Sequence, residues 1–327
     1  MVVPKDVYRQ IASNNRRLLG LILLFPLALS GFVYVFLRLF ELIYNASAYS
    51  EASNNYTHPV SYQPIQLLTN DNLTLILFIV LLAAVLIILF SFLQGKNLIL
   101  GLTGSHLCPN DPEHTRVFHA VENVALAAGI PTPQVYLLQS RALNAFATGY
   151  SPQNAAITLT TGLIERLSPL ELEAVIAHEV GHILNRDIRL NLFIITGIGV
   201  IGLMGEVLLR IRGGGRSNRG KGGGIIIILL ALGFGFYLFR LLVAPFIHMA
   251  ISRTQEFQAD ATSAHLTRHP QALIDALVKI SENPTVPVLA ETNAFASMCI
   301  FSPDTVSHLL DTHPPIEDRI RRLEEMS

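Results

Sequence analysis

From Leu73 to Gln94 the chain reads LTLILFIVLLAAVLIILFSFLQ, an uncharged apolar run long enough, at about 1.5 Å per residue, to cross a hydrocarbon core of about 30 Å. In lipid every backbone polar group must be satisfied within the protein, so such a run can only be helical. Leu18 to Leu37, LLGLILLFPLALSGFVYVFL, is a second uncharged run, and together the two predict a hairpin of membrane helices at 18–44 and 73–94. Composition agrees. Only 14% of residues are charged, against about 25% in ordinary domains, and 51% are hydrophobic. The formal net charge of −1 speaks against nucleic acid as a partner and leaves the lipid bilayer as the expected one. Two cysteines, Cys108 and Cys299, form no disulfide framework and suit a reducing compartment.

Lys5, Arg9, Arg16 and Arg17 precede the first run, whereas the connector at 45–72 has no Lys or Arg. The positive-inside rule therefore puts residues 1–17 and the chain after Gly95 in the cytoplasm, with the connector outside. Two further apolar runs, 190–209 and 225–251, flank a glycine-rich basic loop at 210–224. A full crossing puts that loop outside, against its own arginines; either the first hairpin dominates, or the second enters without crossing. Full crossing, hence four spans, is the preferred reading. Glu206 and Arg240 lie inside these runs, where pairing or snorkelling relieves their desolvation.

Between 95 and 189 the charge returns and the pattern is that of an α+β domain. Asp111 to Gly129 has Val117, Val121, Val124, Ala125 and Ala128 at helical spacing. Short strand-forming runs follow at Val135 to Leu138, Ala145 to Thr148 and Ala156 to Thr160. Ser168-Pro169-Leu170-Glu171 has the form of a capping box, which predicts a helix through LELEAVIAHEVGHILNRD.

That helix contains His178-Glu179-Val180-Gly181-His182. Residues four apart share a helix face, so both imidazoles reach one ion, with Glu179 bordering the same site; zinc is the expected metal, one per chain. A catalytic zinc takes three protein ligands and keeps one position open. Past the last apolar run, in the final segment 252–327, SRTQEFQAD offers Glu256 and Asp260, again four apart: Glu256 as the third ligand, Asp260 as the carboxylate that orients a ligand histidine.

With these residues in view, the chain resembles the HtpX-type membrane zinc metalloproteases, in the same broad family as the integral-membrane CAAX prenyl proteases. The resemblance rests on the first two spans, AVENVALAAGIP, LNAFATG, VIAHEVGHILNRD, two more spans, SRTQEFQAD and THPPIEDRI. It implies an α+β zincin-like (gluzincin) catalytic domain combined with four transmembrane helices. It implies that His178, His182 and Glu256 bind zinc, that Glu179 is the general base, that the strand of Asn144, Ala145, Phe146, Ala147, Thr148 and Gly149 aligns the substrate, and that His313 steadies the transition state. Chemically, His313 before two prolines is a plausible oxyanion donor, and Asn144 can hydrogen-bond the backbone of a peptide added to the strand edge. The resemblance further implies protein or peptide substrates, membrane quality-control partners, and a multi-pass protein of a bacterial or archaeal cytoplasmic membrane with both termini cytoplasmic. The connector is longer than the family usually carries. The competing readings are intramembrane proteolysis or CAAX-type or regulatory processing, as of lipidated C-terminal peptides, and a non-hydrolytic metal-binding membrane scaffold; Glu179 speaks against the scaffold, since a structural zinc has no use for a base.

Overall fold

The computed structural model describes residues 5–55, 69–210, 223–250, 253–282 and 314–326. Cys299, His313, residues 56–68 of the connector and residues 211–222 of the glycine-rich loop lie outside them. The chain divides into two compact units. One comprises Met1–Leu19, Phe90–Thr196 and Pro245–Ser327, the other Gly20–Leu89 and Gly197–Ala244.

The first unit is α+β. Strands β1 (His106–Leu107), β2 (Gln134–Leu138), β3 (Ala145–Thr148) and β4 (Ala156–Thr160) form one sheet in the order β1-β2-β4-β3, with β2 and β4 parallel and the other pairs antiparallel. β3 is therefore an edge strand. The three strand-forming runs of the sequence become β2, β3 and β4, and every residue of β3 and β4 is buried. Helix α3 (Thr115–Ala128) buries Val117, Val121, Val124 and Ala125 and closes on Gly129, with the Ile130 N–H bonded back to the Ala125 carbonyl. A short helix α4 (Thr161–Arg166), capped by the Thr160 side chain, leads into α5 (Pro169–Leu184).

At the start of α5 the Ser168 hydroxyl accepts the Glu171 N–H and the Glu171 carboxylate accepts the Ser168 N–H, the reciprocal box its sequence predicts. The helix does not run on to Asp187. Arg186 takes φ 63°, a left-handed conformation that ends it, and a new helix α6 (Asp187–Arg210) starts at once. Helices α8 (Arg253–Thr267), α9 (Pro270–Glu282) and α10 (Ile316–Glu324) complete the unit, and α5 packs against α3, α8, α9 and β3. Cys108 is a buried free thiol in this core. Gly181 lies at the α5–α8 crossing. A Cβ on it would meet the Ala259 Cα at 3.1 Å and the Thr262 Cβ at 3.2 Å, so its cost in helix propensity is the condition of that close approach.

The second unit is helical. Helix α1 (Lys5–Asn55) and helix α2 (Asn70–Thr103) both outrun the apolar runs inside them, so residues 45–55 continue as helix instead of opening a loop. Three helices among the described residues are long and apolar enough to cross a membrane, within Arg9–Ser47, Asn70–Thr103 and Asp187–Arg210; a shorter apolar stretch, Ile228–Leu242, lies in α7 (Gly223–Ala250). Their outer faces are apolar: Leu24 is 65% exposed, Leu27 64% and Phe78 61%, the inverse of a soluble surface. Phe239 meets Phe25 and Phe32 edge to face, and Gly205 and Gly233 let α6 and α7 touch backbone to backbone. Glu206 pairs with Arg210, one turn on along its own helix, instead of with Arg240, whose guanidinium lies against Gly202.

Candidate metal centre

The helical spacing of His178 and His182 turns both rings to one side of α5, where their Nε2 atoms stand 3.2 Å apart. From α8, Glu256 brings one carboxylate oxygen to 3.7 Å from His178 Nε2 and the other to 3.5 Å from His182 Nε2. A tetrahedral ion with bonds of about 2.0–2.1 Å holds its ligand atoms about 3.3–3.4 Å apart. The observed triangle has that size, and these three residues are the metal-capable group found among the described residues.

Each imidazole is held from behind. Asp260 Oδ1 lies 2.9 Å from His178 Nδ1, and Asp187 Oδ2 lies 3.0 Å from His182 Nδ1. A carboxylate at Nδ1 keeps the proton there and turns the Nε2 lone pair forward, so two lone pairs face each other across 3.2 Å, an arrangement that a cation between them resolves. Asp187 reaches His182 because of the break at Arg186. Five residues along a continuous helix are about 140° round from the start, on the wrong side.

Arg319 of α10, 1% exposed, grips Asp260 with two bonds of 2.9 and 2.6 Å and approaches Glu256 at 3.4 Å. Burial alone would raise the Asp260 carboxyl; the Arg319 guanidinium and the His178 bond more than reverse that and hold it below its usual range. His178 is pushed down by burial. Burial also disfavours charge on His182, but the hydrogen bond it donates to Asp187 and the charges of Glu256, Asp187 and Glu179 raise it to about 9, so that a proton and a cation compete for the ring. Glu179, 2% exposed, is pushed up to about 7, chiefly by burial, with the Glu256 charge adding to it.

The Ala147 backbone N–H on β3 lies near enough to Glu179 to favour its charged form, and the Ala145 N–H donates to the Asn144 side chain at 2.9 Å. Both point away from β4, so the free edge of the sheet runs beside Glu179. Asn144 is 2% exposed at the start of that strand, and Gly149 follows its end with φ 137°. The structure thus brings together His178, Glu179, His182, Glu256, Asp260 and the strand Ala145–Thr148; His313 is outside the described residues. Sequence reasoning missed Asp187 and Arg319. Both stand inside the quoted motifs, but their partners are set by the break at Arg186 and by the packing of α10.

A model of peptidase family M48 matches residues 112–327. The chain is similar to proteins named protease HtpX homolog: that of Caldanaerobacter subterraneus subsp. tengcongensis is 40% identical over 250 residues, 75% of this chain and 83% of the relative. That of Tropheryma whipplei is 38% identical over 257 residues, 76% of this chain and 85% of the relative. That of Streptococcus uberis is 33% identical over 335 residues, covering 98% of this chain and all of the relative. Among solved structures, the chain matches S. mikatae Ste24p with 22% identity and a TM-score of 0.47, over 76% of this chain and 58% of that one.

Proposed function

Because this chain belongs to peptidase family M48 and is a membrane-bound metalloprotease, we propose that its metal is zinc, held by His178, His182 and Glu256, and that it cuts peptide bonds with Glu179 as general base. The triangle of Nε2 atoms and carboxylate carries this reading: it has the size of a zinc coordination face, with both imidazoles turned forward by carboxylates. Zinc at that position supplies a Lewis acid, polarising the scissile carbonyl and lowering the pKa of water toward about 7. Glu179, pushed up to about 7 in its buried setting, is matched to taking the proton of the attacking water and handing it to the leaving amine.

An extended peptide adds to the outer edge of β3, taking over the Ala145 N–H from the Asn144 side chain and using the Ala147 N–H beside it; Ala145, Phe146, Ala147, Thr148 and Gly149 form that platform and Asn144 orients its start. Asp260 and Asp187 keep the ligand tautomers, and His313 donates to the oxyanion. In fold terms this is a zincin-like (gluzincin) domain, made of 95–189 and 252–327, carried by spans at 18–44, 73–94, 190–209 and 225–251. Lysine and arginine counts support a cytoplasmic catalytic domain and cytoplasmic termini. The substrates are cytoplasmic segments of misfolded or damaged membrane proteins, which is what the resemblance to the HtpX-type proteases implies; the names of the relatives support a protease.

The test is cleavage of casein by the detergent-purified chain, stripped with chelator and reloaded with zinc. Wild type cuts; Glu179→Gln binds zinc and loses at least about a hundredfold in rate, the scale of a general base. Zinc binding by both with cleavage by neither would point first to a narrow-substrate or latent enzyme and only then to a scaffold.

A further inference from the structure

Asn14 lies four residues before the first apolar run, on a helical stretch rich in polar side chains, yet it is 1% exposed. Both its amide hydrogens and its oxygen are engaged. Nδ2 donates to the Asn185 carbonyl at 2.9 Å and to Asp187 Oδ1 at 2.5 Å, while Oδ1 accepts from Gln255 Nε2 at 3.1 Å. Each of these partners borders the metal centre. Asp187 holds His182 with its other oxygen, Asn185 caps the helix that carries both histidines, and Gln255 precedes Glu256.

Asp187 is 0% exposed, and a buried carboxylate oxygen left without a donor bears an uncompensated desolvation cost. His182 supplies the donor to one oxygen and Asn14 to the other. Without Asn14, Asp187 has one oxygen to re-satisfy and can turn toward other donors, which frees the His182 ring from its ligating orientation. Aspartate at position 14 would accept only, and leucine would do neither; an amide meets two acceptors and one donor at once.

We propose that Asn14 is a positioning residue of the metal centre, acting through Asp187 on His182, so that the segment leading into the first membrane helix is part of the site. Asn14 stands outside residues 112–327, the reach of the peptidase match. The proposal rests on the reading of His182 as a zinc ligand.

The experiment measures zinc affinity, by competition with a chelator, on the full chain in detergent. Asn14→Ala weakens zinc about tenfold, the lower end of what outer partners of metal ligands cost. Asn15→Ala, which removes only the exposed bond from Arg189, leaves affinity unchanged. Asp187→Ala weakens zinc at least as much as Asn14→Ala, and adding Asn14→Ala to it costs nothing further, because the path from Asn14 to the ring is already cut. A merely structural Asn14 would make the two losses add, and that result, or wild-type affinity in Asn14→Ala, overturns the proposal. If His182→Ala binds zinc like wild type, the ligand reading itself fails and takes this one with it; if His182→Ala loses zinc while Asn14→Ala keeps it, only Asn14 is wrongly assigned. The same cycle with Asn14→Ser, which keeps one donor, decides the matter should the alanine variant not fold.

Discussion

Arg319 is the side chain on which most of the buried charge at the centre converges. It meets Asp260 through a two-bond fork and Glu256 at 3.4 Å, with all three residues nearly sealed from solvent. Removing one partner of such a group leaves uncompensated charge inside, which costs about 3–5 kcal/mol. Arg319→Leu is therefore expected to lower the unfolding midpoint sharply and to yield a chain with substoichiometric zinc by elemental analysis. Arg319→Lys keeps a charge without the fork and falls between the two. Unchanged zinc content in Arg319→Leu would show that Asp260 needs no guanidinium to hold His178. The metal-capable group of His178, His182 and Glu256 was legible in the sequence, the two histidines because helical periodicity brings residues four apart to one face. Arg319 and Asp187 were not, since periodicity is silent about which distant helix faces another, and a single left-handed residue at Arg186 redirects everything after it.

At the scale of elements, the centre is a crossing of two helices. α5 supplies His178 and His182, α8 supplies Glu256 and Asp260, and Gly181 sets how closely they meet. Gly181→Val adds volume where even one Cβ stands 3.1 Å from the Ala259 backbone, so α8 must move outward. Overpacking of this kind costs about 1–3 kcal/mol. The variant should remain folded by circular dichroism yet lose zinc affinity, since a shift of a few tenths of an ångström opens the triangle; retention of wild-type affinity would mean that the crossing has slack. Elements with strong local signals were readable from the chain: the capping box at Ser168, the spaced valines of α3, and the three strands bounded by Asn, Gly and Pro. The two-residue β1 and six-residue α4 carry too little pattern to be seen. The order of the strands, which leaves β3 at the edge beside Glu179, is a property of the sheet as a whole.

At the scale of the molecule, the arrangement in the membrane can be read with cysteine probes in a Cys108→Ala, Cys299→Ala background. Ser61→Cys should react with an impermeant reagent in intact cells, and Glu165→Cys only after lysis. Ser217→Cys decides the second hairpin: labelling from outside establishes a full crossing, whereas protection until lysis means that α6 and α7 enter and return. The apolar outer faces of α1 and α2 make the bilayer a condition of solubility for this chain. The order of the parts along the polypeptide has a further consequence. Asn14 leaves the ribosome first, the two histidines follow in α5, and Glu256 emerges only after α6 and α7. A nascent chain therefore lacks the carboxylate of the metal-capable group for as long as its later hydrophobic helices are still being made. The metal-capable group is thus completed only after every apolar helix has been made, and a ribosome that stalls short of α8 leaves it one carboxylate short.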